Sequence, residues 1–538
     1  MAALDPLLDE FFAYWWSTHP THATAAGVHA YDAELERHDA ASLAERARRH
    51  REYLGAFERI DPADVGERID VELVADRLHW ELYELEEVRS HRRNPFHYLD
   101  APLGALYLMA IRDYAPAETR AREAARRLGE LRRVLDEAKE NLTEASPVLV
   151  EAGEALARSG LSLIEYVLPV HLGTALEDDP AEFARWENAL RGAESALLDF
   201  SRWLREELAP RATDTFAIGR EAFEVRLRYE HGLFYSADEL LNFGESLKRR
   251  TEAMLSGVAR EIAGHGDWRA VVESLKDEHP PAEGLVDAYA DAMAEARAFV
   301  EERDLVTIPA GESLEVTATP EFLRPLIPYA AYQAPAVHET EQKGLFFVTP
   351  PADGAAGEAL RDHSVHGLPV TALHEAYPGH HLQLTRSNRA GSEPRRIFRT
   401  PVFAEGWALY CEEMMWEQGF YTDPRVRLLQ LKDLLWRACR VVVDVGLHVH
   451  GWTRDRAVEY MVREAGLERP NVEVEVRRYC TDPTQPLSYA VGMREILRLR
   501  ERYLARTGGR FRLREFHDRL LDWGTIPPSL AARGMGLV

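Results

Sequence analysis

The sequence predicts a mainly α-helical protein with one small β-sheet. From Pro6 to about Val300, apolar residues recur at spacings of three and four and are interrupted by charges, which is typical of amphipathic helices. Between about Leu305 and Pro351 the composition changes to β-branched and aromatic residues bounded by proline and glycine. Helical spacing resumes at Gly367 and continues to the C-terminus. We therefore expect a few short strands between two helical halves.

The individual elements can be assigned from the same patterns. Helices are predicted at Ala117–Leu142, Ala181–Leu208, Pro401–Gln418, Arg425–His448, Arg454–Ala465 and Leu487–Leu504. Strand composition is found in Val316-Thr-Ala-Thr-Pro, in the proline-rich run Pro325–Pro335 and in Gly344-Leu-Phe-Phe-Val-Thr-Pro-Pro. No repeat of fixed period occurs, so a solenoid is not predicted. We expect one helical domain over residues 1–538, divided into a helical half (1–304), a small β-rich segment (305–352) and a second helical half (353–538).

Composition and charge exclude several classes of protein. Of the 538 residues, 46% are hydrophobic and 29% are charged, which fits a folded globular chain. Ninety acidic residues against 65 basic ones give a net charge of −25, and such a field repels phosphate backbones and anionic lipids. Nucleic-acid and membrane partners are therefore not expected. Three scattered cysteines, no leader peptide and no long apolar stretch predict reduced thiols and a cytoplasmic location.

The most informative segment is His374-Glu-Ala-Tyr-Pro-Gly-His-His-Leu-Gln383. A His-Glu pair followed by a histidine one turn later is how a helix presents two imidazoles to zinc, with the glutamate placed to deprotonate a metal-bound water. Here the position four residues after His374 is Pro378. His381 would share a face with His374 in a regular helix, but about 10 Å further along the axis, too far to bind the same ion.

Pro378 also supplies a reason for the helix to distort. Proline donates no backbone hydrogen bond, and its ring clashes with the carbonyl four residues earlier. A bulge of three residues would bring His381 to the position one turn after His374, whereas a bulge of two would bring His380 there. The other interpretation is a kinked core helix whose histidines bond to backbone carbonyls. Four ionisable residues within eight, with Glu375 directly after the first histidine, favour a metal site.

A third ligand is expected from the helix that contains Val402-Phe-Ala-Glu-Gly-Trp-Ala-Leu-Tyr-Cys-Glu412. This helix is apolar around much of its circumference, so Glu405 and Glu412 should be at least partly buried, and buried carboxylates need partners. We favour Glu405 as a metal ligand over an internal salt bridge, and we expect Glu412 to support the site.

Substrate-binding candidates lie near the C-terminus. Tyr489, with Tyr479 as second choice, is a candidate donor to the oxyanion of the transition state, although tyrosines at helical spacing are as often core residues. Arg478 is a candidate for holding a substrate carboxylate, unless its charged run is only an exposed helix face. Asp444 and His448 form either a support for a ligand histidine or an internal polar pair.

The predicted strand at Gly344–Thr349 precedes the metal motif, and an extended peptide can pair with the edge of such a strand. Neither a glycine-rich phosphate loop nor a G-x-S-x-G elbow is present. These two observations favour a peptide substrate and give no support to nucleotide-binding or serine-hydrolase functions.

Together these segments resemble the bacterial domain-of-unknown-function family 885, with matches in order from about Leu305 to the C-terminus. The resemblance rests on four segments, namely His-Glu-x-x-Pro-Gly-His-His-Leu-Gln, Glu-Gly-Trp-Ala-Leu-Tyr, Val442-Val-Asp-Val-Gly-Leu-His-Val-His-Gly-Trp452 and Gln485-Pro-Leu-Ser-Tyr-Ala-Val-Gly492. That family is similar to carboxypeptidase Taq and, more distantly, to angiotensin-converting enzyme and thimet oligopeptidase. The resemblance implies a large helical metallopeptidase-like fold with a deep central groove.

The same resemblance implies that zinc is bound by His374, by one of His380 and His381, and by Glu405, with Glu375 as general base. Those relatives have an uninterrupted His-Glu-x-x-His, which this chain lacks. We therefore expect a cytoplasmic zinc metallopeptidase, a carboxypeptidase acting on short peptides. The alternatives are a metal-dependent hydrolase of non-peptide amides or esters, and an inactive peptide-binding protein.

Overall fold

The computed structural model describes residues 4–212, 216–320, 324, 327, 329–351 and 359–538. It confirms the prediction of a mainly α-helical chain with one small sheet. Parts of the predicted strand region Pro325–Pro335 lie outside the described residues. The chain divides into two compact units, Met1–Ala217 with Ala336–Thr340, and Ile218–Pro335 with Glu341–Val538.

The first unit is helical over its described residues. Its α-helices are α1 Leu4–Thr18, α2 Pro20–Ala26, α3 Ala40–Phe57, α4 Val65–Tyr83, α5 Ser90–Arg93, α6 Asp100–Ile111, α7 Ala117–Asn141, α8 Pro147–Ser162, α9 Leu168–Leu172 and α10 Pro180–Trp203. Short 3₁₀ turns cover His29–Tyr31, Pro95–Tyr98, Gly173–Leu176 and Ala209–Arg211, and π turns cover Glu84–Val88, Leu163–Val167 and Leu204–Leu208.

The second unit contains the sheet and all of the candidate site residues. Its elements are α11 Gly219–Tyr229, α12 Ala237–Ala263, α13 Trp268–Leu275, α14 Leu285–Glu302, β1 Glu312–Ala318, β2 Ala330–Gln333, β3 Gln342–Val348, α15 Leu368–Glu375, α16 His380–Ser387, α17 Glu393–Ile397, α18 Pro401–Glu417, α19 Pro424–His448, α20 Arg454–Tyr460, α21 Arg469–Thr481, α22 Ser488–Thr507, α23 Leu513–Leu521 and α24 Pro528–Gly534. Short 3₁₀ turns cover Ala282–Gly284, Leu360–His363 and Gly508–Arg510, and a π turn covers Met461–Ala465.

The helices predicted from spacing are present, with ends that move by a few residues. Two of them, α10 and α20, close in a π turn where continuous helix was expected. Helix ends carry recognisable caps. The Thr400 side chain accepts a hydrogen bond from the Val402 amide at the start of α18, and Pro401 occupies the first helical position, where its missing N–H costs nothing.

The sheet has the strand order β1-β3-β2. β1 is parallel to β3, from Glu312 opposite Gln342, and β2 is antiparallel to β3, from Ala330 opposite Val348. The strand predicted at Gly344–Thr349 is therefore central. The expectation that a peptide pairs with its edge is wrong, because β1 and β2 already take both of its hydrogen-bonding edges.

The core of the second unit brings α18 and α22 into backbone contact. At their crossing, a Cβ atom on Gly492 would lie 1.8 Å from the Val402 carbonyl oxygen, and one on Gly406 would lie 2.4 Å from the Gly492 Cα. Only glycine permits this approach. Glu405 precedes Gly406 and Tyr489 lies three residues before Gly492, so the crossing brings these two candidate residues towards each other.

The three cysteines of this unit, Cys411, Cys439 and Cys480, are all buried and free of disulfides. Among the described residues, no helix combines the length and the apolar composition that crossing a bilayer requires.

Candidate metal centre

Three side chains from α15, α16 and α18 converge on one point. His374, His380 and Glu405 each offer a ligand atom, and these atoms all lie within 4.8 Å of one another. Glu405 Oε2 is 3.3 Å from His380 Nε2 and 4.0 Å from His374 Nε2. The two imidazoles are nearly perpendicular, with centroids 4.9 Å apart. Two imidazoles and a carboxylate are a donor set that zinc prefers.

The backbone between the two histidines is broken instead of bulged. α15 ends at Glu375, the next residue, Ala376, leaves the helical conformation (φ −109°, ψ −88°), and α16 starts afresh at His380. The sequence predicted a distortion here because Pro378 cannot donate a hydrogen bond. Of the two registers left open, the structure brings His380 to His374, as the two-residue alternative required.

The break is held by specific contacts. A Cβ atom on Gly379 would lie 1.8 Å from the His374 carbonyl oxygen, so only glycine fits where the chain turns back on itself. The Pro378 carbonyl accepts a hydrogen bond of 2.8 Å from Trp407 Nε1 on α18. The turn is therefore fastened to the helix that carries Glu405.

His374 is oriented from behind by Glu412. His374 Nδ1 lies 2.8 Å from Glu412 Oε1, and only 1% of the Glu412 side chain is exposed. When Nδ1 donates to this carboxylate, the Nε2 lone pair faces Glu405, which is the usual arrangement of a metal-binding histidine. Burial lowers the pKa of His374 to about 4, so its ring is neutral at neutral pH. Burial also raises the pKa of Glu412 to about 8, so Glu412 is largely protonated at neutral pH, and a cation on Nε2 would favour the form in which Nδ1 donates to the carboxylate. Glu412 therefore has the supporting position expected from the sequence.

His380 and Glu405 form an ion pair in the recess. Their side chains are 13% and 19% exposed. Burial opposes charge on both groups, but their mutual attraction outweighs it, so the pKa of His380 is raised and the pKa of Glu405 is lowered. A cation that binds here must displace the His380 proton, because only a neutral imidazole is a ligand.

His381 lies outside this cluster. Its Nε2 is 2.5 Å from Glu312 Oε2 at the start of β1, and its Nδ1 is 2.9 Å from the Tyr332 hydroxyl on β2. Both ring nitrogens are thus occupied by hydrogen bonds. His381 points to the sheet, and His380 points to Glu405.

Glu375, the candidate general base, directly follows His374. It is half-buried at the end of α15. Its negative charge favours protonation of both His374 and His380, which places its carboxylate beside the cluster. Over the part of the chain that the structure describes, Glu375 makes no hydrogen bond or ion pair, so its carboxylate is available to a substrate or water.

Tyr489 lies close enough to Glu405 for the carboxylate charge to act on its hydroxyl. The guanidinium carbon of Arg440 is 4.7 Å from the centre of the Tyr489 ring, and that of Arg437 is 5.7 Å away. Burial and the nearby Glu405 carboxylate raise the pKa of Tyr489. The hydroxyl therefore stays protonated near neutral pH and is able to donate a hydrogen bond.

Tyr479 and Arg478 are tied into a polar network centred on Glu475. The fully buried Tyr479 hydroxyl accepts from Arg440 Nε at 2.7 Å and donates to Glu475 Oε2 at 2.8 Å. Arg478 donates to Gln485 Oε1 at 2.7 Å and to Glu475 Oε2 at 3.1 Å, and 39% of its side chain is exposed. Tyr479 is therefore a support for Arg440, whereas Arg478 retains a solvent-facing part.

Asp444 and His448 form the internal polar pair. The Asp444 carboxylate accepts hydrogen bonds from the amides of Thr484 (3.2 Å) and Leu487 (3.3 Å), just before α22. His448 Nε2 lies 2.9 Å from the Tyr479 carbonyl oxygen. These contacts fix the chain that leads to Tyr489.

Sequence reasoning missed Arg440, Glu475 and Glu312. An arginine at position 440 inside the otherwise Val-rich run of α19 was a usable signal, since a buried cation needs a partner. Glu475 lies in a charged run that looks exposed. Glu312 begins a strand far from the motif, and no local pattern connects it to His381.

Comparison with known proteins adds a family and a fold. The model of a family described as "Bacterial protein of unknown function (DUF885)" matches residues 20–535. A "putative lipoprotein of unknown function" from Shewanella oneidensis has a solved structure with a TM-score of 0.84 and 24% identity, over 99% of this chain and 100% of that one. The solved structure of a "putative lipoprotein" from Colwellia psychrerythraea has a TM-score of 0.82 and 22% identity, over 97% of this chain and 96% of that one. No curated protein matches the chain.

The expected cytoplasmic location is contradicted by these neighbours. Both are described as a "putative lipoprotein", and a lipoprotein is held at a membrane by covalently attached lipid. Such an anchor needs no membrane-spanning helix. The sequence features behind the expectation, few cysteines and no spanning segment, therefore do not distinguish the two locations.

The Glu475 network predicts a pH-dependent contribution to stability. Burial alone would raise the pKa of Glu475, but Arg440 and Arg478 outweigh burial and hold it at about 2, against an ordinary 4.5. A carboxylate with a depressed pKa stabilises the fold above about pH 4.5 and loses that contribution as the pH falls towards 2. Glu475→Gln should lower the free energy of unfolding by about 1–3 kcal/mol at pH 7.

Urea unfolding at pH 7, 5.5 and 3.5 tests this. The loss of unfolding free energy in Glu475→Gln, relative to the wild type, should be the same at pH 7 and pH 5.5 and smaller at pH 3.5. Glu473→Gln, on the exposed face of the same helix, is the control and should match the wild type throughout. A deficit that is unchanged at pH 3.5 would mean that the carboxylate charge does not stabilise the fold.

Proposed function

This chain belongs to the DUF885 family of bacterial proteins of unknown function, and we propose that it is a zinc-dependent metallopeptidase. The observation that carries the proposal is the convergence of His374, His380 and Glu405, with Glu375 beside them. Catalytic zinc sites use three such protein ligands and leave a fourth position open.

The three candidate ligands fit zinc in their chemistry and in their spacing. Ligand atoms around a tetrahedral zinc lie roughly 3.3 Å apart, and Glu405 Oε2 is 3.3 and 4.0 Å from the two imidazole nitrogens. A hydrogen-bonded carboxylate behind His374 is the outer partner that zinc-binding histidines commonly have. When bound, zinc would act as a Lewis acid that polarises a carbonyl and acidifies water.

The remaining groups supply proton transfer and charge stabilisation. Glu375 takes the proton of the attacking water and returns it to the leaving amine. The Tyr489 hydroxyl donates a hydrogen bond to the oxygen that becomes negative in the transition state. Arg440 and Arg437, stacked on its ring, hold that tyrosine in place.

The outer edge of β2 supports a peptide as substrate. The Thr349 amide donates to the Tyr329 carbonyl at 2.9 Å, next to the paired ends of β2 and β3, so by alternation the N–H and C=O groups of Ala330 and Tyr332 point away from β3. No described strand pairs with that edge. Tyr332 contacts His381, so a peptide added to this edge would pass close to the metal ligands.

We further propose that the enzyme is a carboxypeptidase acting on short peptides. Arg478 is the candidate for the terminal carboxylate, because its side chain is 39% exposed and lies on the Glu475 network near Tyr489. Glu475 and Gln485 hold the guanidinium in position, which lowers the entropy cost of a bidentate contact.

The first prediction concerns metal retention. Purified wild-type protein should contain close to one zinc per chain by elemental analysis, and His374→Ala, His380→Ala and Glu405→Ala should each abolish retention, because each removes one of three ligands. His450→Ala, a histidine 35% exposed in the same unit, is the control and should keep its zinc. Full occupancy in the three ligand variants would rule out this site.

The second prediction concerns the base. Glu375→Gln preserves shape but cannot accept a proton, so zinc content and thermal stability should stay near wild type, while kcat on a peptide library should fall at least about 100-fold. Glu315→Gln, an exposed acid on β1, is the matched control. An unchanged kcat in Glu375→Gln would make Glu375 structural. A zinc-loaded wild type that cleaves no peptide would favour a hydrolase of non-peptide amides or esters.

A further inference from the structure

A buried carboxylate joins four parts of the second unit directly beside the candidate metal centre. Glu312 Oε1 accepts a hydrogen bond from Arg297 Nη1 on α14 at 2.6 Å. Its Oε2 accepts from the Tyr377 hydroxyl, within the break after α15, at 2.7 Å and from His381 Nε2 on α16 at 2.5 Å. The Glu312 and His381 side chains are both 0% exposed.

The chemistry of these contacts fixes the His381 ring. A carboxylate only accepts hydrogen bonds, so His381 Nε2 carries the hydrogen that it shares with Glu312. Nδ1 forms a second hydrogen bond, with the Tyr332 hydroxyl 2.9 Å away on β2. Burial opposes ionisation of Glu312, but the hydrogen bonds from His381 and Tyr377 outweigh it and hold the pKa of Glu312 at about 2. Neither nitrogen of His381 is left for a metal.

The central strand is shaped to receive this ring. A Cβ atom on Gly344 of β3 would lie 2.5 Å from His381 Nδ1 and 2.9 Å from the Tyr332 ring. Such distances are well inside van der Waals contact, so any larger residue would push the imidazole off the sheet. All three strands therefore contribute to the His381 position.

Among the described residues, His380 has no outer partner comparable to Glu412. The His374 ring is oriented by Glu412, which is not a ligand. His380 is paired with Glu405, itself a candidate ligand, at 3.3 Å. The direction of the His380 ring must therefore come from the rotation of α16.

His380 and His381 are the first two residues of α16. Consecutive side chains on an α-helix point about 100° apart, so a helix whose second side chain is fixed on the sheet has its first side chain fixed as well. We propose that Glu312 and His381 are positioning residues that lock α16 onto the sheet and thereby aim His380 at the metal. This inference rests on the proposed zinc site and extends it to the strands.

The attachment of α16 to the sheet through Glu312 and His381, called the lock below, is tested by the zinc affinity of the full-length protein. Apoprotein prepared with a chelator is titrated with zinc against a chromophoric competitor, and the visible spectrum of its cobalt(II) form reports the ligand geometry. Glu312→Gln and Gly344→Ala alter no ligand, yet each should raise the zinc Kd at least tenfold, which corresponds to about 1.4 kcal/mol, and change the cobalt spectrum. Circular dichroism should show that both variants are folded.

Two matched controls separate the lock from general destabilisation. Glu315→Gln removes an exposed acid from the same strand, and Gly257→Ala adds a methyl group on α12, where nothing lies within 4 Å. Both should have the wild-type zinc Kd. If Glu312→Gln does not fold, Tyr332→Phe removes only the hydrogen bond to Nδ1 and should still raise the Kd about threefold or more.

The outcomes distinguish the lock from the site itself. A folded Glu312→Gln or Tyr332→Phe protein with the wild-type Kd and cobalt spectrum would overturn the lock and leave the proposed zinc site intact. A wild-type protein that binds neither zinc nor cobalt would overturn the proposed zinc site, and the lock with it.

Discussion

The candidate site depends on one backbone constraint, the inability of the Pro378 segment to continue a helix. Because α15 stops at Glu375 and α16 starts at His380, two histidines six residues apart reach one point, which a continuous helix would forbid. Gly379 permits the turn, and Trp407 holds it by bonding the Pro378 carbonyl. The irregular spacing of the motif is thus compensated by the fold.

The two histidines are held from different sides. His374 is bonded to Glu412 on α18, the helix that also carries Glu405. His380 is set by α16, whose next residue, His381, is bonded to the sheet. The site therefore depends on α18, on the sheet and on the backbone break between α15 and α16. If the proposed function is right, the sheet positions a ligand while the ligands themselves all come from helices.

The sequence predicted what local patterns encode. Helix bounds follow from apolar spacing, and the burial of Glu405 and Glu412 follows from their apolar helix. The strand order did not follow, since pairing between distant segments leaves no local signature. The choice between His380 and His381 also could not be made, because it depends on Glu312, about 70 residues earlier, which occupies His381. The expected cytoplasmic location is contradicted by the two putative lipoproteins that share this fold, and no local pattern in the sequence connects the chain to them.

The most direct test of the account is anomalous diffraction at the zinc absorption edge, on crystals of the full-length protein grown with zinc. The account predicts one anomalous peak about 2.0–2.2 Å from His374 Nε2, His380 Nε2 and a Glu405 carboxylate oxygen, with His381 still bonded to Glu312. A peak on His381 in place of His380, or no peak at these three residues, would contradict it.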